Sequence, residues 1–158
     1  MGPERLDVRD PDTIRGWQRL DAATTTSGRI AAADVDRLAA LGTRHVVNLA
    51  LDDHPEALAD EASLLAGRGI AYTHIPVPFD APDEAHFAAF EHAMSRAEPP
   101  VHVHCIMNWR VSAFFYRRNI ARGMEEAAAR GLLHEHWAPE TSDDPRSAVW
   151  ARFIGLAD

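Results

Sequence analysis

The sequence predicts an α/β domain, an α/β/α layering with a largely parallel central sheet. Three observations predict it. Short apolar runs alternate with segments of helical spacing along the chain. Residues 45–51 form a nearly continuous apolar run, suited to a strand buried on both faces of a parallel sheet. Residues 101–116 read as strand, tight loop and buried helix in direct succession.

Taken in order, residues 1–13 are polar, carry Pro3 and Pro11, and predict a loose arm. Residues 14–20 are expected as a short edge strand carrying Trp17, and 24–28 as a turn. Residues 31–41 set Val35, Leu38 and Leu41 at helical spacing behind Ile30, and Gly42 stops that helix. A strand over 45–51 precedes a helix over 55–66, with Pro55 tolerated in its first turn and Gly67 and Gly69 ending it. A strand over 70–77 follows, and Pro78 and Pro82 break the next segment into a loop. Residues 83–97 predict a helix with Phe87, Phe90 and Met94 on one face. After Pro99-Pro100 comes the central strand, 101–104, then a helix over 110–122 ended by Gly123. Two more helices, 124–137 and 146–156, are joined by 138–145. No repeat, low-complexity tract or linker interrupts the 158 residues, so 1–158 is expected as one domain.

A chain of this length buries roughly 70% of its unfolded surface and needs no disulfide or metal staple. Its one cysteine, Cys105, cannot form an internal disulfide, which fits a reducing compartment. The net charge of −8 argues against a general nucleic-acid binder and against docking on an anionic membrane. All 16 basic residues are arginine, which reads as compositional bias. Residues 1–20 have no apolar core of signal-peptide length, and no apolar run approaches a membrane span, so the cytoplasm is the expected location.

The chemistry concentrates in His102-Val-His104-Cys105-Ile106-Met107-Asn108-Trp109-Arg110. Successive N–H groups in a tight loop leading into a helix form a concave anion site, and the helix dipole adds partial positive charge there. A cysteine at the mouth of such a site is expected as a thiolate near neutral pH. Arg110 supplies a planar fork for two oxygens of a phosphate. Asn108 suits the positive φ that so tight a loop needs. His104 can assist by charge or by fixing the loop; a satisfied core histidine is the plainer reading. His102 shares its strand face, so a metal pair is conceivable, but two histidines and one cysteine without a carboxylate cluster make a weak zinc set. No metal and no cofactor is expected.

His-Cys-x-x-(Gly/Asn)-x-Arg after a buried strand resembles the signature loop of cysteine-dependent phosphatases of the dual-specificity kind. The likeness is strongest to the small bacterial branch of that superfamily. It is carried by Ser27-Gly28, Val46-Val47-Asn48-Leu49, His74-Ile75-Pro76-Val77 and the run from His104 to Ala113, and spans roughly residues 14–120. The resemblance implies a protein-tyrosine-phosphatase-like fold and hydrolysis of phosphate monoesters through a cysteinyl-phosphate. Cys105 would be the nucleophile; Ile106, Met107, Asn108, Trp109 and Arg110 would hold the phosphate, and His104 and Ser112 would support the thiolate. An aspartate upstream would be the general acid. Asp80 is favoured and Asp83 is the competitor, since Asp83 also suits the N-cap of the following helix. Asp52 and Asp53, after the strand 45–51, are expected as solvated loop charges.

Four residues separate Cys105 from Arg110, where the usual phosphatase loop has five followed at once by Ser or Thr. Four is also the length in many rhodaneses. Sulfur transfer through a Cys105 persulfide is therefore a second reading, and a phosphate- or phosphoprotein-binding module with weak turnover a third. The expected partner is a phosphorylated protein or a small phosphate ester; its identity and the oligomeric state stay open.

Overall fold

The structure, a computed structural model, describes residues 9–157. Five strands, β1 (Gln18–Asp21), β2 (Thr24–Ser27), β3 (His45–Asn48), β4 (Ala71–His74) and β5 (Val101–His104), form one sheet in the order β1-β2-β5-β3-β4. Only β1 runs antiparallel to its neighbour; the other pairings are parallel, as the apolar runs predict. Six helices accompany it: α1 (Ala32–Ala40), α2 (Glu61–Ala66), α3 (Glu84–Arg96), α4 (Trp109–Ala121), α5 (Glu126–His134) and α6 (Pro145–Phe153).

Side-chain alternation along the strands divides the molecule into layers. Val46 joins Val35 and Leu38 of α1 and Leu65 of α2 in one core. Val47, Val101 and Val103 point the other way, into a larger core built by Phe90 of α3, Phe114 of α4, Leu133 of α5 and Trp150 of α6. Cys105 belongs to this second core, on the side away from α1 and α2. Full burial of Phe90, Phe114 and Trp150 contributes on the order of 1.5–3 kcal/mol each.

Of Thr24 to Gly28, expected as a turn, Thr24–Ser27 is instead strand β2. Its polar residues serve a buried histidine. Thr25 Oγ1 and Ser27 Oγ each lie 2.8 Å from a ring nitrogen of His102, which is wholly buried in the neighbouring strand. Both nitrogens of His102 are thus occupied, and burial first, then the charge of His104, push it well below its ordinary value. The helix expected over 55–66 is cut to Glu61–Ala66 because Asp60 takes a left-handed φ of 59° just before it. The first strand starts only at Gln18, after a turn through Gly16 at φ +64°; Ile14 and Trp17 pack on the α1–α2 core ahead of it. The arm expected over 1–13 falls mostly outside the described residues. Among the described residues no helix is long and apolar enough to cross a membrane.

Candidate active site

β5 is the middle strand, and its last residue hands over directly to the loop. Cys105 follows at the carboxyl end of the sheet, buried to 1% exposure, and α4 starts at Trp109. Asn108 makes the turn between them at φ 70°, fully buried. Its amide Nδ2 donates to the Gly16 carbonyl at 2.8 Å and to Thr26 Oγ1 at 3.0 Å, pinning the loop to the segment before β1 and to β2. The structural role expected for Asn108 is visible in these bonds.

The loop carbonyls are tied outward. The Cys105 carbonyl accepts from His104 Nδ1 at 3.2 Å. The Ile106 carbonyl accepts from the Arg29 N–H at 2.8 Å and from the Arg15 guanidinium at 3.3 Å. The Trp109 carbonyl accepts from the Ser112 hydroxyl at 3.2 Å. The N–H groups of Ile106, Met107 and Asn108 donate to no backbone carbonyl among the described residues. Those of Trp109 and Arg110 stand in the first turn of α4, where a helix supplies no acceptor. The outcome is a loop with free amides at a helix N-terminus, the arrangement that binds anions.

A cavity of about 290 Å³ opens over this loop, lined by Cys105, Ile106, Met107, Trp109 and Arg110, with Leu51, His54, Phe79 and Arg146 completing the wall. Arg110 is 7% exposed, and its buried Nε meets no acceptor among the described residues. Burial pulls Arg110 below its ordinary value, and the charge of Cys105 acts the other way. The guanidinium carbon lies 5.6 Å from the centre of the Phe79 ring. Trp109 stacks on Trp137 at 5.0 Å and 4°, so it is both wall and packing residue.

Not every expected residue reaches the cavity lining. Ser112 spends its hydroxyl on the Trp109 carbonyl rather than on Cys105. Asp80 is exposed and follows the lining residue Phe79, whose carbonyl is held by Trp150 Nε1 at 2.6 Å. Arg146, which lines the cavity, is held above its ordinary value mainly by its hydrogen bond to Asp144, with a smaller contribution from the charge of Asp80. Asp83 is committed elsewhere: its carboxylate accepts the His86 N–H at 2.9 Å and caps α3. Asp52 and Asp53 are exposed. His104 points to the α1–α2 side, where Nε2 lies 2.5 Å from Glu61 Oε2, both side chains 5% exposed or less. Glu61, Arg15, His54 and Arg146 escaped the sequence reading, because each meets the loop only through tertiary packing. Among the described residues no group of three or more His, Cys, Asp or Glu is placed to hold a metal ion.

A thiol under free amides, beside a buried guanidinium and on this sheet, places the chain in the class of protein-tyrosine-phosphatase-like phosphoric monoester hydrolases. The chain belongs to the family described as "Beta-lactamase hydrolase-like protein, phosphatase-like domain", whose model matches residues 18–118. Among solved structures it is similar to a protein of Shewanella putrefaciens CN-32 described provisionally as a phosphatase, with 25% identity over 91% of this chain and 93% of that one and a TM-score of 0.76. TpbA of P. aeruginosa shares the fold at 22% identity and a TM-score of 0.70, covering 95% of this chain and 89% of its own. A further TpbA structure is a complex with pTyr. The core catalytic domain of the PP-IP phosphatase SIW14 of S. cerevisiae, in complex with citrate, shares it at 14% identity and a TM-score of 0.71, over 92% and 88% of the two chains. A comparison with curated proteins gives no match.

Proposed function

We propose that this phosphatase works through Cys105 and a cysteinyl-phosphate, without a metal, as a single domain. The observation that carries the reading is the cavity in which the thiol, the outward-tied loop and the buried Arg110 meet. Cys105 Sγ attacks phosphorus in line, and the bond from phosphorus to the ester oxygen breaks. The free amides of the loop and Arg110 hold the equatorial oxygens, where charge builds in the transition state. Asp80 delivers a proton to the departing oxygen. Water then attacks phosphorus and gives its proton to Asp80, the P–S bond breaks, and thiolate and phosphate leave. Phosphate-monoester hydrolysis demands accelerations of up to ~10²¹-fold. Preorganised charge, fixed here by bonds from three neighbouring segments, is the largest single source of such an effect.

The substrate class is a phosphorylated protein or small phosphate ester. The pTyr bound to TpbA supports an aryl ester, and so does the apolar wall of Leu51, Phe79 and Trp109. The test is a paired assay with an aryl phosphate and with thiosulfate plus cyanide, in the presence of a chelator. Vanadate-sensitive release of phosphate is expected. Thiocyanate formed without phosphate release would instead assign the four-residue loop to sulfur transfer.

Because Asp83 is committed to its helix cap, Asp80 is the residue assigned as general acid. Asp80→Asn is expected to lower turnover about 10²- to 10⁴-fold for esters with poor leaving groups, and far less for activated aryl phosphates. The alkaline limb of its pH–rate profile should flatten. The same signature in Asp83→Asn, with Asp80→Asn near wild type, would move the assignment to Asp83.

A further inference from the structure

The residue before the nucleophile faces away from the cavity, and what it faces is a carboxylate. His104 Nδ1 lies against the Cys105 carbonyl, which only accepts, so Nδ1 carries a proton. Nε2 lies 2.5 Å from Glu61 Oε2, and a bond so short between these two groups encloses a proton as well. The ring is therefore held at both nitrogens, by the Cys105 carbonyl on one side and the Glu61 carboxyl group on the other. The other Glu61 oxygen accepts from Asn48 Nδ2 at 3.2 Å, and the same amide reaches the Tyr72 hydroxyl at 3.1 Å. Burial first, with the charge of Glu61 among the further causes, pushes Tyr72 up to about 12, so its hydroxyl stays neutral. The carboxylate is thus fixed from α2, β3 and β4, and none of these contacts touches the cavity.

We propose that Glu61 is a positioning residue for Cys105, acting through His104. Its carboxyl group holds the imidazole in one orientation, and the imidazole keeps the Cys105 carbonyl turned outward. The loop amides then remain aimed at the sulfur and at its bound anion. Without the carboxylate, Nε2 loses its partner, the ring is free to turn, and the Cys105 carbonyl loses the group that holds it in place. The other titratable groups around the pair are His102, stacked on His104 at 6.2 Å, Tyr72, His74 stacked on Tyr72 at 6.1 Å, and Asp52, whose charge reaches Tyr72. None of them offers a second carboxylate hydrogen-bonded to His104 among the described residues.

The inference rests on Cys105 being the functional thiol, and its test reads the thiol directly. The rate of Cys105 alkylation by iodoacetamide is measured against pH in wild type, Glu61→Gln and Glu61→Asp, with circular dichroism to verify the fold. In Glu61→Gln the rate at neutral pH is expected to fall about tenfold, with the rising limb displaced toward alkaline pH. Glu61→Asp, which keeps the charge but shortens the reach, should show a smaller displacement in the same direction. In a His104→Asn background, Glu61→Gln should add little, because the two act as one unit. A folded Glu61→Gln that alkylates as wild type at every pH would overturn the proposal, and so would an undiminished effect of Glu61→Gln in the His104→Asn background. If Glu61→Gln does not fold, Glu61→Asp decides: loss of thermal stability with an unmoved alkylation profile would make Glu61 structural only. Alkylation is measured without turnover, so absence of phosphate release would refute the phosphatase mechanism and leave this result readable.

Discussion

Cys105→Ser is expected to remove phosphate release altogether, a loss on the order of 10⁴-fold or more. A serine hydroxyl is not ionised near neutral pH, and among the described residues no side-chain base is hydrogen-bonded to the side chain at position 105: His104 is turned to the other face of the sheet and bonded to Glu61. The substitution is nearly isosteric, so the cradle of amides and Arg110 should survive it. Anion binding and turnover should therefore separate. The checks are burst and steady-state release of phosphate from an aryl phosphate, together with the affinity for inorganic phosphate. Turnover within tenfold of wild type would remove Cys105 from the mechanism, and loss of phosphate binding along with turnover would mean that the variant had collapsed the loop.

The second large effect is expected at a residue that never touches substrate. Gly28 follows β2 against the back of the signature loop, where a Cβ would stand 2.4 Å from the Ile106 carbonyl oxygen and 3.0 Å from its carbon. Both are backbone atoms and cannot swing aside. Gly28→Ala must push the loop inward or β2 outward, and the Arg29 N–H bond that ties the Ile106 carbonyl goes with it. Displacement of about 1 Å in a positioned catalytic group costs on the order of 10²-fold, so kcat/KM should fall by about that much while the rest of the sheet holds. Gly131→Ala is the matched control. Gly131 lies within α5, a Cβ there meets nothing within 4 Å, and alanine favours a helix by up to about 1 kcal/mol. A Gly28→Ala enzyme with wild-type kcat/KM would show that the loop does not depend on this close approach.

The signature loop was legible because Cys105, the turn residue Asn108 and Arg110 lie close together in one short run, and the hydrogen bonds that shape it are local or reach a neighbouring segment. The parallel sheet was legible from apolar runs for β3 and β5. β2 was not, since its Thr25 and Ser27 face buried His102, and polar residues satisfying a buried ring look in one dimension like turn residues. The short α2 was overextended because a left-handed Asp60 leaves no mark in the hydrophobic spacing. Glu61 lies 43 residues before His104 and reads as an ordinary acidic residue near a helix start until β3 and β5 pair. Arg146 reaches the cavity only because α6 folds back over Phe79, its guanidinium carbon 5.0 Å from that ring.

Arg110 gives the molecule a built-in conflict between durability and use. Its guanidinium is withdrawn from water, one nitrogen goes unanswered by the protein, and burial opposes its charge. If an oxyanion occupies the loop as proposed, that frustration is relieved, so the anion-free fold would be less stable than its core alone would make it, and the difference would return as affinity. Selection for thermal endurance in the absence of an anion would favour apolar replacements at position 110 and discard the activity first. The same selection in saturating phosphate would favour keeping the arginine.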